Sequence, residues 1–118
     1  MGYGMAGRIL HAPLIEAAKG FELRGVVTSD QERSLQAQSD LPLAKVFGSS
    51  DAAWSLAGEF DIAVIATATA SHLPLALKAL QCGMHVVIEK PVAGNSEDVS
   101  TLTEAAHAAG RQVHVFQN

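Results

Sequence analysis

Residues able to do chemistry are concentrated in a glycine loop and in four short polar stretches. The loop is Gly2-Tyr3-Gly4-Met5-Ala6-Gly7, which reads G-x-G-x-x-G. Between a strand and a helix, the first glycine of such a loop makes a tight turn. The second lets backbone N–H groups approach a pyrophosphate, and the third lets the helix pack closely on the sheet. Here a helix and a strand follow the loop, and Met1 alone precedes it. Methyltransferase loops and plain glycine-rich turns share the pattern, so the loop by itself does not decide between them. The polar stretches are Thr28-Ser29-Asp30, Thr67 to His72, Glu89-Lys90 and Gln117-Asn118, and each closes an apolar run. In an open parallel sheet, ligands bind beyond the carboxyl ends of the strands, which is where such residues stand. The plainer alternative for Glu89-Lys90 is an exposed ion pair before a turn, and for His72 a helix-start residue bonded to a backbone carbonyl.

The elements that must position these residues alternate between the two periodicities. Met5 to Lys19 reads as a helix that Pro13 kinks or restarts near His11-Ala12, and Gly20 ends it. Phe21 to Val27 reads as a strand. Ser29 or Asp30 then caps a short helix through Ala37, and Ser39 to Pro42 is a loop. Ala44 to Phe47 is a short strand, and Ser49 or Ser50 caps a helix carrying Trp54 and Leu56. Asp61 to Ala66 is a continuous apolar run, as expected of a parallel strand covered on both faces. Ser71 caps a helix to about Gln81 with Leu73, Leu77 and Leu80 on one face, and Gly83 closes it. His85 to Ile88 is another buried strand. Asn95 caps a helix to Ala109 with Val99, Leu102, Ala105, Ala106 and Ala109 facing inward, and Gln112 to Phe116 is the last strand. The pattern predicts an α/β fold: a Rossmann-type, doubly wound parallel sheet in three αβα layers, with its first strand truncated.

Composition narrows the function classes. The chain has 118 residues, enough for one domain, and a hydrophobic fraction of 48% supports a buried core. A formal net charge of −4 argues against a nucleic-acid partner. No apolar run approaches the roughly 18 residues of a membrane span, and no secretory signal is visible. The single cysteine, Cys82, excludes an internal disulfide, and the five histidines lack metal-ligand spacing, so no metal site is expected. These features fit a cytoplasmic protein. Cys82 reads as a small core residue, Trp54 and His11 as packing, and His85, His107 and His114 as strand or surface residues.

Five segments carry a family resemblance: G-Y-G-M-A-G at 2–7, H-A-P-L-I at 11–15, A-T-A-T-A-S-H at 66–72, G-M-H-V-V-I-E-K-P at 83–91 and V-F-Q-N at 115–118. Together they resemble the nucleotide-binding half of the Gfo/Idh/MocA oxidoreductases, named after glucose–fructose oxidoreductase and inositol dehydrogenase. The resemblance covers residues 1–118, its specific part is E-K-P, and it is nearest to the scyllo-inositol dehydrogenase-like branch. It implies NAD(P)-dependent hydride transfer to or from a polyol or sugar carbinol, in a homo-oligomer. It implies that Lys90 lies beside the nicotinamide ribose and the substrate hydroxyl, where an ammonium can stabilise a forming alkoxide. Glu89 would accept from the nicotinamide ribose or carboxamide, and Pro91 would fix the turn, with a cis Lys90–Pro91 bond. Thr67 and His72 would flank the cofactor. Ala68 and Thr69 stand where members often have Pro and Asn, which leaves the role of Thr69 open. Gly2, Tyr3, Gly4, Met5, Ala6, Gly7, Thr28, Ser29, Arg33, Gln117 and Asn118 complete the expected cofactor contacts.

The resemblance also implies a second α/β domain carrying an Asp/His proton-transfer pair. The chain therefore reads as a dinucleotide-binding fragment without activity of its own. In the strand order 3-2-1-4-5-6, loss of the first strand leaves a gap and a poorly stable sheet. A non-catalytic dinucleotide-binding or redox-sensing module is the alternative, but it would need no lysine at the nicotinamide end. For cofactor choice, an NAD-specific site closes its second strand with a carboxylate. Here Thr28-Ser29 takes that position, Asp30 comes late, and Arg33 follows one turn into the helix. NADP is therefore expected over NAD.

Overall fold

Short β-branched runs make the strands, because branched side chains pack well on a pleated surface. The computed structural model describes residues 1–117. It divides into two units, Met1–Ser55 and the part from Leu56 onward.

In the first unit, β1 (Gly25–Val27) pairs in parallel with β2 (Lys45–Phe47), Val26 opposite Val46. The expected strand from Phe21 is shorter than its apolar content suggested. The ladder begins where the Lys45 N–H donates to the Arg24 carbonyl at 2.9 Å, and Phe21 is 57% exposed. After the glycine loop, one π-helical stretch (Ala6–His11) runs into α1 (Ala12–Ala17), so the restart predicted near His11-Ala12 is observed. Pro13 sits in the first turn of α1, where its missing N–H is harmless. The helix ends at Ala17, before Lys19, because Ala18 turns extended. α2 (Gln31–Asp40) is capped by Asp30, whose carboxylate accepts the Arg33 N–H at 2.9 Å. It runs three residues past the expected end at Ala37, so the expected loop at Ser39-Asp40 is helical. Ser49 caps α3 (Ser50–Trp54), and Leu56 lies beyond it. Tyr3, Ala12, Val26, Ala37 and Leu41 form the core, with Leu23, Ala44 and Val46 against it.

The second unit is a parallel sheet in the order β3 (Ile62–Ile65), β4 (His85–Glu89), β5 (Val113–Phe116). Ile65 lies opposite Ile88 and Glu89 opposite Phe116. The pairings within the two units are those the order 3-2-1-4-5-6 requires of strands 2 with 3 and of strands 4, 5 and 6. β3 is not covered on both faces: Ala63 and Ile65 are buried, while Ile62 is 37% exposed.

α4 (His72–Gln81) buries His72, Ala76, Ala79 and Leu80, and Leu73 and Leu77 are only half-buried. Ser71 occupies the N-cap position without capping, contrary to expectation. An N-cap side chain bonds the second or third helical N–H, and the third residue here is Pro74, which has none. α5 (Ser96–Ala109) is capped as expected, Asn95 Oδ1 accepting the Asp98 N–H at 2.8 Å. Leu102 and Ala106 face the core. Val99 and Ala109 are exposed, Ala109 on an open groove shared with Leu77 and Ala105. Gly110 ends the helix at φ +60°. Cys82 is half-buried rather than core. Among the described residues no helix is long and apolar enough to cross a membrane.

Candidate functional site

The first unit carries the glycine loop. Gly2 N–H donates to the carbonyl of Val27, the last residue of β1, at 2.9 Å. That bond sets the loop at the carboxyl end of the strand. Gly2 has φ +85°, a conformation that L side chains rarely adopt, and this explains the glycine. Gly4 lies beneath Arg33. A Cβ built there would stand 3.8 Å from Arg33 Nη1. Gly7 is buried in the first helical turn, and Met5 is 84% exposed. The loop is therefore a shallow backbone surface with a cation at its side. Among the described residues the Arg33 guanidinium has no carboxylate within ion-pair distance, so pairing with Asp30 or Glu32 does not occupy it. Asp30 is held by its cap, and Thr28 Oγ1 accepts the Asp30 N–H at 3.4 Å. Ser29 is exposed and Thr28 is buried.

The Tyr3 side chain turns away from the loop surface, leaving its backbone in the loop. It is buried, and its hydroxyl donates to Asp40 Oδ2 at 3.1 Å. Arg8 Nε–H donates to the same oxygen at 2.8 Å, and Gln36 to Oδ1 at 2.7 Å. Burial and the bond to Asp40 push the Tyr3 phenol up to about 12. The Arg8 bond draws the Asp40 carboxyl below the usual aspartate range. Sequence reading passed over Asp40. Its signal was Gln36 four residues earlier, an amide one helical turn from the carboxylate.

The second unit carries the other polar sets at the carboxyl ends of its strands. Thr67 follows β3, Lys90 follows β4 and Gln117 follows β5, and the register places them on one edge. Thr67 and Ser71 hydroxyls lie 2.8 Å apart, and Ser71 also lies 2.7 Å from the Ala68 carbonyl. A carbonyl can only accept, so Ser71 donates to Ala68 and accepts the Thr67 proton. That network shapes the Thr67–Ser71 turn, with Ala68 exposed and Thr69 half-buried. His72 is 1% exposed. Its Nδ1 lies 2.9 Å from the Pro91 carbonyl and its Nε2 3.0 Å from the Thr67 carbonyl. The ring is thus bonded to backbone rather than presented to a ligand. Glu89 is buried, and its Oε2 accepts the Lys90 N–H at 3.2 Å. Lys90 and Pro91 are exposed, and the peptide between them is cis, as the resemblance implied. Asn118, expected among the cofactor contacts, lies outside the described residues.

Parallel strands, interleaved helices and a glycine turn at a strand's carboxyl end define a dinucleotide-binding α/β domain. The chain belongs to the Gfo/Idh/MocA oxidoreductases: the model of that family's NAD-binding Rossmann fold matches residues 1–117. It is 34% identical over its whole length to the uncharacterized oxidoreductase YdgJ of Escherichia coli K12, covering 33% of that protein. It is 27% identical, also over its whole length, to the scyllo-inositol 2-dehydrogenase (NADP(+)) IolW of Bacillus subtilis 168, covering 32%. The crystal structure of an NAD-binding protein from Listeria innocua superposes with a TM-score of 0.91 at 35% identity, over 99% of this chain and 34% of that one. The chain spans about a third of the length of these relatives.

Proposed function

We propose that this chain is the nicotinamide-dinucleotide domain of an oxidoreductase moving a hydride between NADP and a carbinol carbon of a polyol or sugar. The observation that carries the reading is Lys90. It is an exposed ammonium on the first residue beyond β4, with its own N–H held by the buried Glu89 carboxylate. A non-catalytic binding module has no use for a cation fixed at that edge.

The residues fit such a cofactor. The bare backbone at Gly4 beside Arg33 suits a phosphate, because a side chain there would fill the space. In this reading Gly2, Gly4 and the loop N–H groups take the pyrophosphate. Ser29 and Arg33 take the 2′-phosphate, Arg33 by charge-assisted bonds. Thr67, Thr69, Glu89 and Gln117 orient the nicotinamide end. When bound, the nicotinamide supplies the hydride acceptor or donor. Lys90 stabilises the negative charge that develops on the substrate oxygen as its proton leaves. The polyol class is supported by the name of the Bacillus relative.

Titration with NADPH, NADH and S-adenosylmethionine tests the reading, followed by polyol-dependent turnover in the intact protein. Binding of a nicotinamide dinucleotide and reduction of NADP by a polyol are expected. Binding of S-adenosylmethionine alone would overturn the proposal.

A further inference from the structure

We infer that His72 is a positioning residue that sets Lys90 through the Pro91 carbonyl, and not a contact to the cofactor. The inference rests on the reading of Lys90 above. His72 opens α4, is 1% exposed, and places one ring nitrogen against each of two turns. Nδ1 meets the carbonyl of Pro91 at 2.9 Å, one residue after Lys90. Nε2 meets the carbonyl of Thr67 at 3.0 Å, in the turn after β3. A carbonyl oxygen only accepts, so each contact needs a proton on the nitrogen facing it. A singly protonated ring makes one of the two contacts, and a doubly protonated ring makes both.

The Lys90–Pro91 segment is otherwise thinly held. Both residues are exposed, and Pro91 has no N–H to donate. Its carbonyl bond to His72 therefore fixes the chain directly after Lys90, and the Glu89 carboxylate fixes it directly before, through the Lys90 N–H. A lysine held on both sides along the main chain has its stem start from one place. A displacement of about 1 Å at such a site lowers rates by up to about 10²-fold.

The two amide side chains separate the two contacts. Asn puts its N–H₂ near the place of Nδ1 and keeps the tie to Pro91. Gln reaches the place of Nε2 and keeps the tie to Thr67. In the intact protein at saturating cofactor, His72→Gln should lower kcat about tenfold or more with a smaller change in KM. His72→Asn should restore kcat to within about threefold of native. Equal losses in both variants, or a larger loss with Asn, would overturn the inference.

Two further measurements keep it falsifiable. If the Gln variant does not fold, the ring ¹⁵N spectrum of the native protein decides. A protonated Nδ1 supports the tie to Pro91, and an unprotonated Nδ1 refutes it. The Lys90 amide resonance, recorded in both variants, is independent of turnover. It should move with Gln and hold with Asn even if Lys90→Ala shows that Lys90 has no part in the reaction, so failure of the functional reading is told apart from failure of this one.

Discussion

The Tyr3 hydroxyl and the Arg8 Nε–H meet on one oxygen, Oδ2 of Asp40, at 3.1 and 2.8 Å. Tyr3 lies inside the glycine loop, Arg8 just after it, and Asp40 ends α2. One carboxylate thus fastens the loop to a helix 37 residues away in sequence. Tyr3→Phe removes a hydrogen bond to a charged acceptor and should destabilise the domain by about 1–2 kcal/mol, read from chemical denaturation.

The same bond predicts a pH dependence with a defined sign. The Tyr3 phenol is raised from 10 to about 12 in the folded chain, so the native state holds that proton longer than the unfolded state does. Its contribution is complete below pH 10 and is lost as pH rises from 10 through about 12. Asp40 works at the other end, because its pKa is depressed. Its contribution is present above the ordinary aspartate value of about 3.9 and is lost as pH falls through the lower folded value. Denaturation midpoints against pH should show both limbs. Tyr3→Phe should flatten the alkaline one and Asp40→Asn the acid one.

The two outer-facing glycines of the loop should behave differently. Gly2 has φ +85°, so Gly2→Ala should cost about 1–2 kcal/mol of stability. At Gly4 an added Cβ meets only Arg33 at an ordinary 3.8 Å, so Gly4→Ala should fold normally. It should still weaken dinucleotide binding about tenfold or more, because the methyl occupies the surface a phosphate needs. Normal binding by Gly4→Ala would mean that the loop backbone is not the contact surface.

Much of this arrangement was legible because local rules were obeyed. Asp30, Ser49 and Asn95 cap the helices they precede, and Gly83 and Gly110 close the helices they follow. Illegible features came from contacts distant in sequence. The extension of α2 to Asp40 was only partly announced, because Gln36 lies one turn before Asp40 but the other two donors, Tyr3 and Arg8, are distant in sequence. Val99 and Ala109 carried the right period and yet are exposed, because periodicity marks a face without saying how wide a strip is covered. His72 was legible as a helix-start residue bonded to a backbone carbonyl, one of its two readings, but which carbonyl was not, since Pro91 lies 19 residues on.

Helix caps give a local comparison. Asn95→Ala should destabilise by about 1 kcal/mol and speed exchange of the Asp98 amide. Ser71→Ala should leave the start of α4 unchanged, since Ser71 bonds Ala68 and Thr67 rather than a helical N–H. Its effect should instead appear in the amides of the turn from Thr67 to Ser71. Faster exchange at Leu73 in that variant would show that Ser71 caps the helix after all.

Lys90→Ala in the intact protein should lower kcat by about 10²-fold or more, as for loss of a transition-state electrostatic partner. Dinucleotide affinity should change far less. Survival of kcat within about threefold would make Lys90 a surface cation held in place by chance.

In the proposed function, cofactor choice rests on Arg33. Its guanidinium lies against Gly4 and has no ion-pair partner among the described residues, while the nearby Asp30 is engaged as a helix cap. In that reading a 2′-phosphate would meet a cation and the exposed Ser29 hydroxyl there, and the Asp30 carboxylate is held by the Arg33 N–H. NADPH should bind more tightly than NADH, and the margin should shrink as salt is raised, because an exposed charge contact is screened. Arg33→Ala should weaken NADPH by about tenfold and leave NADH nearly unchanged. Fluorescence titration of both dinucleotides at matched ionic strength measures each step. NADH binding tighter by about tenfold would give the ribose to Asp30 and require that its cap open.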